Sequence, residues 1–159
     1  DCGITAVDEL NFAAELGLEV IVVDHHQLAP EMPEAVACLN PHRPDCSYPF
    51  SELCATGVAF LLIASLRRHA RELGWFEGRT EPDLRDSLDL VALATVADMV
   101  PLQSVNRIFV ASGLEQLKKA KRPGLRALME VSRITPENIE SSDLGFRLGP
   151  RHHPRDCFS

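Results

Sequence analysis

The feature that most limits the fold of this chain is a short, unbroken apolar run followed at once by three chemically reactive side chains. Residues 19–23 read Glu-Val-Ile-Val-Val, and Asp24, His25 and His26 come directly after them. Because the run does not alternate between apolar and polar residues, it predicts a strand buried on both faces, as in a parallel sheet covered by helices. Ligands bind beyond the carboxyl ends of such strands, which is where these three residues would lie.

The segments around this strand predict an alternation of helices and strands. A short helix is expected over residues 6–16, with Thr5 and Asp8 forming a capping box and Gly17 ending the helix. The apolar periodicity predicts one more strand at residues 35–39, inside a proline-rich loop over 27–53, and further helices at 55–73, 83–97, 106–119 and 123–131. Residues after 136 are weakly patterned. The alternation favours an α/β fold.

Length and composition narrow the classes of function. The 159 residues suffice for one domain with a core. The sequence contains no run of eighteen apolar residues, so it predicts no membrane span. The net charge of −7 weakens a nucleic-acid-binding function without excluding it, because carboxylates that bind divalent cations can carry that charge locally. Five cysteines with no C-x-x-C pair argue against a disulfide framework or a structural zinc site, and favour a cytoplasmic setting. The chain opens without Met, so we expect a fragment or a processed chain.

The triplet of Asp24, His25 and His26 is the strongest candidate for a functional site. A carboxylate and two imidazoles can bind a metal ion. We expect the two adjacent histidines to point in different directions, so that one can bind a metal while the other meets substrate. A solvated polar turn explains the triplet alone equally well.

Asp1 and Asp98 are two further candidate ligands. Asp1 precedes Cys-Gly-Ile and a helix start, so it either ends a strand or is an arbitrary terminal residue. Asp98 lies within the apolar stretch 94–102, where a buried, unpaired carboxylate is costly. A helix cap and a metal ligand account for Asp98 equally well.

Taken together, these positions resemble the DHH phosphoesterases and, within that superfamily, the RecJ exonucleases. The Asp-His-His triplet alone is a weak signal, whereas several stretches in one order are specific. The stretches are residues 1–4, 24–26, 39–41, 46–50, 56–60, 94–102, 106–128 and 142–151. The resemblance makes residues 1–151 a partial DHH catalytic domain and leaves 152–159 as a divergent tail that we expect to be disordered.

The resemblance implies a three-layer α/β/α fold with a mainly parallel sheet, and a site for two divalent ions, Mn²⁺ or Mg²⁺. Such ions lower the pKa of a bound water and stabilise the attacking and leaving oxygens. Asp24 would orient a neighbouring histidine, and His26 would contact the scissile phosphate. The implied residues are Asp1, His25 and Asp98 as metal ligands, Asp24 and His26 as catalytic residues, and His26 and Arg151 as substrate contacts.

The implied function is a metal-dependent 5′-to-3′ exonuclease specific for single-stranded DNA, acting in DNA repair and recombination. Its partners would be single-stranded DNA and either a single-strand-binding protein or a helicase. The family also has an upstream Asp-x-Asp-x-Asp-Gly stretch that binds metal and does not occur in this sequence, so we expect the chain to be weak or inactive alone. Two alternatives remain open: a DHH-family phosphatase of oligonucleotides or nucleotides, and a catalytically dead interaction module.

Overall fold

The structure, a computed structural model, describes residues 3–152 and has two compact units, Asp1–Ala59 and Phe60–Ser159. The α-helices are α1 (Val7–Glu15), α2 (Ala55–Glu72), α3 (Leu88–Ala97), α4 (Ser104–Leu117), α5 (Pro123–Val131), α6 (Ser141–Asp143) and α7 (Gly149–His152). The strands are β1 (Ile21–Val23) and β2 (Ala37–Leu39). Short 3₁₀ turns cover Leu84–Ser87 and Pro136–Asn138, and a π-helical turn covers Leu144–Leu148. The predicted α/β class is confirmed.

The sheet of the first unit is parallel, as predicted. Within residues 3–152 it has two strands, with Val22 of β1 opposite Cys38 of β2. The prediction that the strand is buried on both faces is wrong, because Val22 is buried while Ile21 is 56% exposed. Successive side chains of a strand point to opposite faces, and the face opposite Val22 carries the exposed Ile21 and the half-buried Val23.

Helix α1 lies within one residue of both predicted ends, but its N-cap differs from the one predicted. The N-cap residue is Ala6, whose methyl group cannot accept a hydrogen bond, so the capping box expected at Thr5 is wrong. The chain instead turns over Gly3–Ala6, where the Ala6 N–H donates to the Gly3 carbonyl, and Ile4 is fully buried. Gly17 ends the helix at φ +74°, a left-handed conformation that favours glycine.

The second unit is helical and has an apolar core. Helices α3 and α4 approach so closely at Gly113 that a β-carbon there would lie 2.2 Å from the Leu88 carbonyl oxygen and 2.3 Å from Ala92 Cβ. Glycine is therefore required at this helix contact. The buried core residues are Ala92, Leu93, Leu117, Leu125, Met129, Ile134, Ile139, Leu144 and Leu148.

Two segments of the second unit depart from the sequence pattern. The helix predicted over 83–97 begins as a 3₁₀ turn, with the Asp83 carboxylate accepting from the Arg85 N–H, and becomes α-helical at Leu88. The weakly patterned segment after 136 is largely helical. A π-helical turn buries both Leu144 and Leu148, and its wider winding hides the usual α-helical period.

No helix among residues 3–152 is both long and apolar enough to cross a membrane. Of the tail expected to be disordered, His152 ends α7 and residues 153–159 lie outside the described residues.

Candidate active site

The Asp24–His26 turn, defined as Asp24, His25 and His26, begins directly where β1 ends. The Asp24 N–H donates to the Leu39 carbonyl at 3.0 Å, which continues the ladder between β1 and β2 by one residue. The three side chains offer ligand atoms that lie within 4.8 Å of one another, the kind of group that could hold a metal ion within the described part of the chain. The sheet thus places two imidazoles and a carboxylate at one strand end.

Asp24 is buried, and both oxygens of its carboxylate accept hydrogen bonds. Oδ2 accepts from the Ile4 N–H at 2.8 Å. Oδ1 accepts from the N–H groups of His25 at 2.7 Å and His26 at 3.3 Å, and lies 2.7 Å from His26 Nδ1. Burial raises the pKa of this carboxyl, but the hydrogen bonds from Ile4, His26 and His25 outweigh burial and lower the pKa to about 2. Asp24 is therefore ionised at neutral pH, with its oxygens committed to protein donors.

Gly3 is part of the same arrangement. A β-carbon at Gly3 would lie 2.7 Å from Asp24 Oδ2 and 2.8 Å from its carboxyl carbon. Only glycine lets the backbone approach closely enough for the Ile4 N–H to reach that oxygen. Sequence reasoning did not assign a role to Gly3, although it lies in the stretch 1–4 that resembles the DHH family.

The Asp24 contact determines what His26 can do. When Nδ1 donates its proton to the ionised carboxylate, a neutral imidazole keeps its lone pair on Nε2. Nε2 can then bind a cation or accept a proton, and a protonated His26 can donate to a phosphate oxygen.

The two histidine rings lie side by side, with centroids 4.5 Å apart and planes tilted by 42°. The expectation that they point in different directions stays a prediction, because the separation and tilt of the rings do not fix the direction of their nitrogens. The rings differ in exposure: the His25 side chain is 16% exposed and that of His26 is 39% exposed. His26 is the more accessible of the two to a substrate.

Asn40 is a second residue that sequence reasoning did not assign to the site. Its side-chain amide donates from Nδ2 to the His26 carbonyl at 2.8 Å, and its Oδ1 accepts from the His42 N–H at 2.8 Å. The residue follows β2 directly, as the triplet follows β1. A polar residue at the end of the neighbouring strand was the available signal.

Of the other predicted residues, Asp98 lies in the second unit at the C-cap of α3. Asp98 is exposed, so a burial cost does not apply to it, and its position at the C-cap agrees with the helix-cap alternative. Arg151 lies in α7, also in the second unit, where it is exposed and donates from Nη1 to the Arg147 carbonyl at 2.8 Å. Asp1 lies outside the described residues.

Comparison with known proteins places these residues in a family. Residues 1–95 match the DHH family, N-terminal domain. The chain is 47% identical over 154 residues to the single-stranded-DNA-specific exonuclease RecJ of Dickeya dadantii and 45% identical over 154 residues to that of Escherichia coli. Each alignment covers 95% of this chain but 27% of the relative, so the chain spans about a quarter of their length.

Solved structures agree with the sequence comparison. The chain is similar to a crystal structure of exonuclease RecJ bound to manganese, with a TM-score of 0.73 and 34% identity, covering 95% of this chain and 35% of that one. It is also similar to RecJ in complex with Mn²⁺ from Thermus thermophilus, with a TM-score of 0.72 and 35% identity, covering 95% and 21% of the two chains.

Proposed function

The chain belongs to the DHH family, and from that premise we propose that it carries part of the active site of a metal-dependent phosphodiesterase that degrades single-stranded DNA. One observation carries the proposal. At the end of β1, the ionised Asp24 holds His26 in a defined orientation beside His25. An oriented imidazole beside a second one suits phosphate chemistry, whereas a solvated turn needs neither a buried carboxylate nor the hydrogen bonds that it accepts.

The donor set fits a divalent ion. Imidazole and carboxylate groups are common ligands of divalent metals, and the similar solved structures are described with Mn²⁺. We assign His25, together with Asp1 and Asp98, as the candidate ligands of Mn²⁺ or Mg²⁺. When bound, such an ion supplies Lewis-acid stabilisation of phosphate charge and a lower pKa for water.

Asp24, His26 and Arg151 have separate roles in this proposal. Asp24 has both oxygens occupied by protein donors, so we assign it to orienting His26. His26 contacts the scissile phosphate through Nε2, while its Nδ1 lies 2.7 Å from Asp24 Oδ1. Arg151, whose guanidinium is exposed, is the candidate second phosphate contact.

The substrate is proposed from the relatives that share this sequence over 95% of its length. Those proteins are named as exonucleases specific for single-stranded DNA, and we extend that substrate to this chain. The 5′-to-3′ direction, a role in DNA repair and recombination, and a single-strand-binding protein or helicase as partner belong to the same proposal. A cytoplasmic setting is supported by the cysteine pattern, five residues with no C-x-x-C pair. Because the chain spans about a quarter of its relatives, we expect little activity from it alone.

The first test is a Mn²⁺ titration by calorimetry of this chain and of Asp98→Ala. We expect measurable binding that is lost or at least about 10-fold weaker in the variant, the usual effect of perturbing a metal site. Asp86→Ala is the matched control, because Asp86 is also an exposed aspartate of the second unit, paired with Lys121. Equal binding by all three proteins would remove Asp98 from the site, and absence of binding by the unaltered chain would contradict the metal proposal.

The second test distinguishes the substrate classes. The chain is incubated with Mn²⁺ and either a long 5′-labelled single strand or a dinucleotide, alongside His26→Ala. Preferential release of mononucleotides from the long strand, lost in the variant, supports the exonuclease. Cleavage of the dinucleotide alone would favour a phosphatase of short oligonucleotides instead.

A further inference from the structure

We propose that Asn40 is a positioning residue of this active site: by holding the backbone carbonyl of His26 it fixes the direction of the His26 ring. The inference rests on the proposed function, since it concerns the same Asp24–His26 turn. It adds a residue that lies 14 positions away in the sequence and on a different strand end.

The Asn40 amide is fixed by both of its ends. Nδ2 donates to the His26 carbonyl and Oδ1 accepts from the His42 N–H, each at 2.8 Å. A flipped amide would set oxygen against oxygen and N–H against N–H, so these neighbours define one orientation. The side chain is also only 4% exposed, which leaves water little access as a replacement partner. Losing either bond would therefore leave a poorly solvated polar group.

The Asp24–His26 turn is held from its two ends by different groups. At its start, the Asp24 N–H continues the strand ladder, and the Asp24 carboxylate receives the N–H groups of His25 and His26. At its end, the His26 carbonyl accepts a hydrogen bond from the Asn40 side-chain amide. The peptide that follows His26 is thereby fixed, and with it the backbone from which the ring projects toward Asp24.

The consequence for chemistry is geometric. His26 Nδ1 meets Asp24 Oδ1 at 2.7 Å only if the backbone of His26 stays in place. A displacement of about 1 Å is enough to break a hydrogen bond of this kind and to misdirect a reacting group. Without Asn40 we expect His26 to leave its single orientation and to populate both imidazole tautomers.

A purely local role for Asn40 makes a different prediction. Its Oδ1 closes a turn onto His42, and its backbone carbonyl accepts from the Arg43 N–H at 3.3 Å. Asn40→Ser separates the two roles, because a serine hydroxyl can still accept from the N–H two residues on but is too short to reach His26. Asn40→Ala removes both contacts. Asn11→Ala is the matched control: Asn11 accepts from the Glu34 N–H in the same unit, at 3.0 Å.

The test reads the histidine tautomers by long-range ¹H–¹⁵N NMR, without metal, well above the ordinary imidazole pKa of about 6.5. We expect His26 to carry its proton on Nδ1 in the unaltered chain and in Asn11→Ala. Asn40→Ser and Asn40→Ala should both show a mixture of tautomers while the amide spectrum of β1 and β2 remains folded. A single Nδ1–H tautomer in Asn40→Ser would overturn the proposal and leave Asn40 a local turn residue.

The same four proteins are then titrated with Mn²⁺. We expect Asn40→Ser to bind about 10-fold more weakly than Asn11→Ala, because the turn that Asn40 holds also carries His25, the candidate metal ligand. Equal affinities with mixed tautomers would contradict the part of the proposal that links Asn40 to the metal-binding turn. If the unaltered chain binds no Mn²⁺, the proposed function fails, while the metal-free tautomer measurement still decides the role of Asn40.

Discussion

The buried carboxylates of the two units have different roles. In the second unit, the buried Asp89 carboxylate pairs with the Arg122 guanidinium at 2.8 and 3.0 Å, which links the start of α3 to the N-cap of α5. In the first unit, the buried Asp24 carboxylate accepts hydrogen bonds from backbone N–H groups and from one imidazole. The Asp89 pair joins two helices, whereas Asp24 orients a side chain that can itself exchange a proton.

The apolar parts differ in the same way. The second unit has one continuous core to which α3, α4 and α5 all contribute. The first unit has two three-residue strands, and its buried apolar residues are Ile4, Val22, Leu53, Cys54 and Val58. We conclude that apolar burial dominates the stability of the second unit, while hydrogen bonds set the geometry of the first. Four predictions test this contrast.

The largest effect is expected from a cavity in the second unit. Leu144→Ala removes a fully buried side chain and should lower the free energy of unfolding by about 3 kcal/mol. Urea unfolding followed by the fluorescence of Trp75, the single tryptophan, reports on that unit. Leu102→Ala, at a 43% exposed leucine, is the control and should cost much less. Equal losses would contradict the assignment of the core.

A slightly smaller effect is expected at the contact between α3 and α4. Gly113→Ala places a methyl group against the Leu88 carbonyl and Ala92, and should cost about 2 kcal/mol through displacement of the helices. Gly124→Ala, in α5, meets nothing within 4 Å and should be neutral or slightly stabilising. Calorimetric melting of the two variants checks the difference. If Gly113→Ala melts like Gly124→Ala, the close approach of the helices is wrong.

In the first unit, stability should depend on pH through Asp24. Its pKa is lowered to about 2, so the ionised carboxylate contributes stability above its ordinary pKa of 3.8, and this is lost as pH falls toward 2. The contribution is at most about 2 kcal/mol. Hydrogen exchange of β1 and β2 should be faster in Asp24→Asn than in the unaltered chain at neutral pH. The difference between the two proteins should shrink as pH falls toward 2. A difference that is independent of pH would mean that shape, not charge, is lost.

The smallest change in stability, but a clear loss of site geometry, is expected from Gly3→Ala. Its β-carbon would push the Asp24 carboxylate away from the Ile4 N–H, at a cost of about 1 kcal/mol for one weakened hydrogen bond. Mn²⁺ affinity should fall more than stability does. Gly124→Ala serves again as control. Unchanged Mn²⁺ affinity in Gly3→Ala would show that the hydrogen bond from the Ile4 N–H to Asp24 does not matter for the metal site.

The segments with regular local patterns were predictable from the sequence. Helices α2, α4 and α5 lie within about two residues of their predicted ends, because apolar period, proline and glycine act over a few residues. The Asp24–His26 turn at the end of a parallel strand was also predictable, since a β-branched run and the residues after it are local features. The resemblance to the DHH family depends on the same short motifs.

Tertiary structure alone decided what those residues contact. The Ile4 N–H reaches Asp24 from 20 residues away and Asn40 reaches His26 from 14, and no periodicity encodes such pairs. Burial was also decided at this level: the sequence suggested a strand covered on both faces and a buried Asp98, yet Ile21 and Asp98 are exposed. The sequence by itself determined which chemical groups stand at the strand end. Their orientation depended on hydrogen bonds between remote segments, which exist only once the chain has folded.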